Sequence, residues 1–228
     1  EVLRFYRDYA RTCPDELTAF AALMTSPEGA PVVAIVVGYI GPIADGERLV
    51  APVRKFGTPL ADTIGPMSYV QLNTMLDGAF PYGGVRRYWK SSFLKQLGDD
   101  VPDILLDRAA TLPSPMSMVG FFHVHGAASR VDRNETAFGL RDDQWDYDII
   151  SQWLDVEELA HHIQWTREFW TAVEPFATGE VYVNHLDAEE GTRIKSAYSD
   201  NYGRLVALKN KYDPTNLFRL NQNIKPTI

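Results

Sequence analysis

AYSDNYGRLVALKNKYDPTNLFRLNQNIKPTI, residues 197 to 228, divides at Asp213-Pro214. Asn201 to Lys211 carries Leu205 and Leu208 at helical spacing, continued by Tyr212, with Arg204, Lys209 and Lys211 beside them. The basic residues fall in the last turns, where the helix dipole favours cations. Pro214 stops the helix, because the residue before a proline is pushed out of the α region. From Leu217 onward apolar and amide-rich positions alternate without forming a compact element. Asn221, Gln222 and Asn223 offer several donors and acceptors together. On composition alone this is an ordinary polar tail.

Upstream, helical and strand patterns alternate. Glu1 to Thr12 groups Val2-Leu3, Phe5-Tyr6 and Tyr9-Ala10 on one helix face, and Pro14-Asp15 ends it. Glu16 to Thr25 and Pro31 to Ile40 read as strands, the second β-branched and apolar enough for a central strand covered on both faces. Asp45 to Arg54 is a helix with Leu49, Val50 and Val53 inward, Lys55 to Pro66 a loop, and Tyr69 to Leu76 a short helix. Asp99 to Thr111 is a helix behind an acidic start, and Met116 to His125 and Gln144 to Trp153 are strands. Asp155, as cap, opens one long helix to Phe176, with Leu159, Ile163, Phe169, Trp170 and Val173 as its apolar stripe. Gly179 to Leu186 is the last strand. The fold class is therefore α+β: a mainly antiparallel sheet with helices on one face, then a C-terminal helix and an extended tail.

The formal charge of −8 argues against a nucleic-acid partner, which needs a basic stripe to neutralise phosphates. No apolar run is long enough for a membrane span. Cys13 is the only cysteine, so neither an intrachain disulfide nor a cysteine-based metal site is open; it reads as a small buried residue at a helix end. Nothing at the start reads as a signal peptide, which leans to the cytoplasm. The missing initiator Met and the amphipathic opening instead suit a piece of a longer chain.

NYxRLxxxKxxYDPxNxFRxNQNI, residues 201 to 224, resembles the C-terminal signature of the berberine-bridge-enzyme-like FAD-linked oxidases, flavoproteins of the vanillyl-alcohol-oxidase type. Residues 59 to 94 (PxxDxIGPMSYVQLNTMLDGAFPYGGVRRYWKSSFL) and 125 to 138 (HGAASRVDRNETAF) extend the match, with Ala127 and Gly139-Leu140-Arg141 departing from the usual pattern. The resemblance implies a substrate-binding domain over residues 1–188 and a tail segment over 189–228 that packs on a flavin domain absent from this chain. It implies FAD as cofactor, with hydride transfer from a carbon bearing OH or amine and reoxidation by O2. The implied partners are a small-molecule substrate and a flavin-binding domain or subunit. No glycine-rich diphosphate loop and no His/Cys flavin-attachment pair is present. The alternative is thus a non-catalytic fragment or small-ligand-binding module.

Asp148 lies mid-strand among Trp, Tyr and Ile, where Asp is disfavoured. Facing a closed cavity it would be a desolvated carboxylate fit for a general base; otherwise Asp146 to Asp148 mark a wet face shared with Ile150 and Gln152. His123 and His125 share a strand face, but no further ligand has metal spacing, so no metal is expected. His161-His162 reads as a solvated or partly packed pair. The resemblance places His123 and Gln152 toward substrate and makes Tyr182 a second catalytic residue beside Asp148. His185 stands where the family has Tyr or Phe and joins the substrate set. Arg141 would hold an anionic group, or else pair with Asp142-Asp143. Asn184, Asn221 and Asn223 would contact flavin.

Overall fold

The computed structural model describes residues 1–186 and 188–227. Asp187, beside the expected boundary at 188/189, and Ile228, the end of the tail, lie outside the described residues. In chain order the elements are α1 (Val2–Ala10), β1 (Leu17–Thr25), β2 (Pro31–Tyr39), α2 (Ile43–Lys55), α3 (Tyr69–Thr74) and β3 (Arg86–Leu94). There follow α4 (Val101–Ala109), β4 (Met118–Val124), α5 (Ala127–Arg130), β5 (Gln144–Trp153), α6 (Leu159–Val173), α7 (Ile194–Tyr198) and α8 (Tyr202–Tyr212). The strands form one antiparallel sheet in the order β2-β1-β4-β5-β3. The expected α+β class is the observed one.

Register decides what faces what. Trp145, Tyr147 and Ile149 of β5 join Phe121 of β4 and Ala19 and Ala21 of β1 in a core closed by α1, α4 and α6. Successive strand side chains alternate between faces. Asp146, Asp148, Ile150 and Gln152 therefore share the other face, with Trp89 and Ser91 of β3 opposite Ile150 and Asp148. Every residue of β5 is buried on both faces.

The middle of the sheet is thus β4, with β5 an inner strand between β4 and β3, and β2 is not central. The apolar run Pro31–Tyr39 is an edge strand, paired among the described residues with β1 alone. Val33, Ile35 and Val37 pack on the core, while Val32, Ala34 and Val36 lie half-buried on the far face. An apolar alternation reports two faces that want cover; it does not report position within the sheet.

Residues 179–186 are not a strand. One bridge joins Ala177 to Leu94, and Phe93 exchanges hydrogen bonds with Glu180 and Thr178. Gly179 then turns at φ 82, a region L side chains avoid. Val181 and Leu186 are both buried against Ala197, and residues between them close a 3₁₀ turn over Val183–His185.

The expected long helix is composite. The Asp155 side chain accepts from Glu157 N at 3.0 Å and caps a 3₁₀ turn, after which α6 begins at Leu159. Its inward stripe is His162, Trp165, Phe169 and Val173; Leu159 is 45 % exposed. His162 is not solvated at all: Nδ1 lies 2.6 Å from Ser151 Oγ, and its ring stacks on Trp153. Nδ1 thus ties helix to sheet, while Nε2 lies buried without a hydrogen bond among the described residues, 3.9 Å from Glu158.

Candidate active site

On the face of β5 away from the core helices, the turn Tyr182–His185 stands over two carboxylates. Its ends are fixed by the buried Val181 and Leu186. The tail adds a tie, because Gln222 Nε2 donates to the Leu186 carbonyl at 2.7 Å. The amide run therefore lies against the turn that presents His185.

His185 Nδ1 sits 2.8 Å from Asp148 Oδ1 and 3.5 Å from Asp146 Oδ2, as an ion pair without the alignment of a hydrogen bond. One ligand atom from each residue falls within 4.8 Å of the others. Asp146 and Asp148 are 6 % and 2 % exposed. The Trp89 indole N–H donates to Asp148 Oδ1 at 2.8 Å, and the Ser91 hydroxyl donates to Asp146 Oδ1 at 3.3 Å. The His185 ring stacks on Trp89 at 5.1 Å and meets Tyr182 edge-on at 5.0 Å. Phe80 and Phe138 extend this aromatic wall beyond Trp89 and Tyr182. Asn184 Nδ2 donates to the Tyr182 hydroxyl at 2.7 Å.

The electrostatics follow from that packing. Burial disfavours the charged imidazole, but the two carboxylates outweigh it and hold His185 up to about 9. Burial pushes Asp146 up, with the like charge of Asp148 adding to it and His185 opposing.

The other expected site residues divide. Tyr182, Asn184, His185 and Asp148 come together. Gln152 shares their face, but its amide is engaged by Arg87 Nε at 2.6 Å and by the Met116 carbonyl at 2.7 Å. Arg141 pairs with neither Asp142 nor Asp143; its guanidinium donates to the carbonyls of Phe138 and Ala128, both at 3.0 Å, and to Thr136 Oγ1 at 2.8 Å. His123 lies on the opposite face of the sheet from Asp148, stacked on Trp145, with Nε2 2.7 Å from Asp143. Asn221 and Asn223 flank the Gln222 tie, and neither side chain forms a hydrogen bond among the described residues.

Sequence reasoning missed Asp146, Trp89 and Gln222 as members of this cluster. Asp146, two residues before Asp148, carried a usable signal. The pairing of β3 with β5 and the fold-back of the tail carried none.

Residues 181–225, which span this turn and the tail, match the family model described as berberine and berberine like. The chain is 30% identical to an FAD-linked oxidoreductase of Dictyostelium discoideum, covering 99% of this chain and 49% of that protein. Over nearly its whole length the chain is thus similar to part of the berberine-bridge-like FAD-linked oxidoreductases. An FAD-linked oxidoreductase of Bacillus subtilis is 25% identical, over 99% of this chain and 50% of its own length. The solved structure of the berberine-bridge-enzyme-like protein 28 of Arabidopsis thaliana shares the fold, with a TM-score of 0.82 at 20% identity, covering 100% of this chain and 54% of that one. The chain thus spans about half the length of the berberine-bridge-like relatives it matches. Among its described residues no helix is long and apolar enough to cross a membrane.

Proposed function

We propose that this chain forms the substrate side of an FAD-dependent oxidase acting on a small molecule with a C–OH or C–N group. The observation that carries it is the desolvated Asp148, paired with His185 and set beside Tyr182 in an aromatic-walled site on the face away from the core helices. Asp148 takes the proton from the substrate O–H or N–H as the neighbouring carbon gives up its hydride. Tyr182, held through Asn184, and Trp89 orient the substrate and exclude water. Bound FAD would supply the hydride acceptor and its reoxidation by O2.

The residues present suit one part of that cofactor. The side-chain amides of Asn221 and Asn223 suit the edge of a flat heteroaromatic ring, and the stacked, half-buried Phe20 and Phe122, on the sheet face that carries Asp146, suit its face. Among the described residues nothing fits the diphosphate, so on this reading its cradle belongs to a flavin-binding domain or subunit. Leu217, Phe218 and Leu220, 73–86% exposed, support such a partner, since apolar side chains clustered in one segment mark contact surfaces. On this reading residues 1–188 form the substrate domain and 189–228 the segment that reaches the flavin.

With a flavin-binding part supplied, Asp148→Asn should slow substrate-driven flavin bleaching about 10²–10⁴-fold by stopped-flow absorbance. An unchanged rate sinks the assignment of Asp148 as base.

A further inference from the structure

We propose that His185 is the positioning cation of the site: protonated, it holds the buried Asp146 and Asp148 charged together and aims Asp148 Oδ1. Its catalytic consequence rests on the reading of Asp148 as proton acceptor; the charge arrangement stands on geometry alone.

Two carboxylates on one strand face, both nearly sealed from solvent, cannot ionise together without a nearby positive charge. The groups facing them are few. From β3 come the Trp89 indole and the Ser91 hydroxyl, which are neutral donors. From the turn come the Tyr182 ring and the His185 imidazole. Arg193 reaches the same strand, but its guanidinium donates to the Ser91 carbonyl at 3.1 Å and toward Ser92 Oγ. His185 is the group placed between the two acids, within reach of both.

The placement is also rigid. Trp89 stacks on the His185 ring and Tyr182 meets its edge, so two aromatic contacts hold the imidazole over the acids. Where the family pattern carries Tyr or Phe, this chain has kept an aromatic plane and added a charge.

The consequence concerns net charge. With His185 protonated, the trio carries one net negative charge. A proton arriving from substrate on Asp148 leaves it neutral, with His185 still paired to Asp146. Without the cation, the same step would start from two adjacent buried acids whose like charges oppose each other.

The test is a proton–nitrogen NMR titration of the imidazoles of the chain from pH 5 to 10, with the His185 signals identified by their loss in His185→Gln. We expect a His185 midpoint near 9. It should fall by about 1–3 pH units in Asp148→Asn, with a smaller fall in Asp146→Asn. A midpoint near the ordinary histidine value in the wild type, or one unmoved in both variants, overturns the proposal. The wild-type midpoint alone decides should a variant fail to fold. In the flavin-loaded protein, His185→Gln should move the acid limb of the reductive rate upward by about one pH unit or more, and an unmoved limb overturns the positioning role. A high midpoint combined with an unaffected rate in Asp148→Asn leaves the pairing standing and removes only the base assignment.

Discussion

Strand β5 has a histidine packed against each of its faces, one buried and one half-buried, and the two are opposites. On the helix side, His162 is fully enclosed, hydrogen-bonded to Ser151 and stacked on Trp153, with Glu158 no nearer than 3.9 Å. On the other side, His185 is stacked on Trp89 and lies between two carboxylates. Burial is common to both. It lowers the pKa of His162, where Glu158 opposes it too weakly to prevail, and is overruled at His185 by Asp146 and Asp148. The same side chain is thus a neutral packing element on one face and a cation on the other. The difference is set by which β5 residues, Ser151 or the aspartates, point its way.

The largest test of that contrast is removal of each ring at pH 7. His185→Leu leaves two buried carboxylates facing each other and should cost about 2–4 kcal/mol in urea denaturation. His162→Leu loses one neutral hydrogen bond but keeps an apolar plug, and should cost about 1–2 kcal/mol. Equal losses would erase the distinction.

The pH dependence should diverge next. His162 has a depressed folded pKa, so its stabilisation is present above the ordinary histidine value and is lost as pH falls below it. For His185 the folded pKa is raised, so its contribution is full below pH about 6.5 and is lost as pH rises toward 9. Raised as well, Asp146 favours the fold most when protonated and costs stability as it ionises. Thermal melts should therefore show His162→Leu removing acid sensitivity and His185→Leu removing alkaline sensitivity. A swapped assignment would break the comparison.

The smallest effect concerns the tie that holds the second histidine in place. Gln222→Ala should cost about 0.5–1.5 kcal/mol and speed amide hydrogen exchange over Val183 to Leu186, with no change around His162. Uniform acceleration would mean that the tail clamps the whole domain rather than this turn.

Much of this is legible in the letters. Gln144–Trp153 stands as read, since a ten-residue alternation bounded by Asp143 and Leu154 leaves no competing period. The tail motif leads to the family, and Asp148 is conspicuous as an acid inside an aromatic strand. Most other helices and strands stand near their expected bounds, and the readings that depart do so for physical reasons. Residues 179–186 alternate like a strand, but Gly179 and the joint burial of Val181 and Leu186 turn the chain. His162 reads as polar because a sequence does not show that Ser151 waits across the interface. Likewise, the pairing of His185 with Asp148 joins residues far apart in the chain and exists only after the sheet has closed.

The edge position of β2 has a practical side. Among the described residues its outer backbone groups face no strand, and between Val32 and Tyr39 there is neither a charge nor a proline to discourage another strand from adding there. A nine-residue, β-branched ribbon of this kind is a template for self-pairing. Handling the chain alone therefore favours low concentration. Val33, Ile35 and Val37 pack on the core and are not the places to intervene. Val36→Lys, on the half-buried far face, is the change that should keep preparations monodisperse.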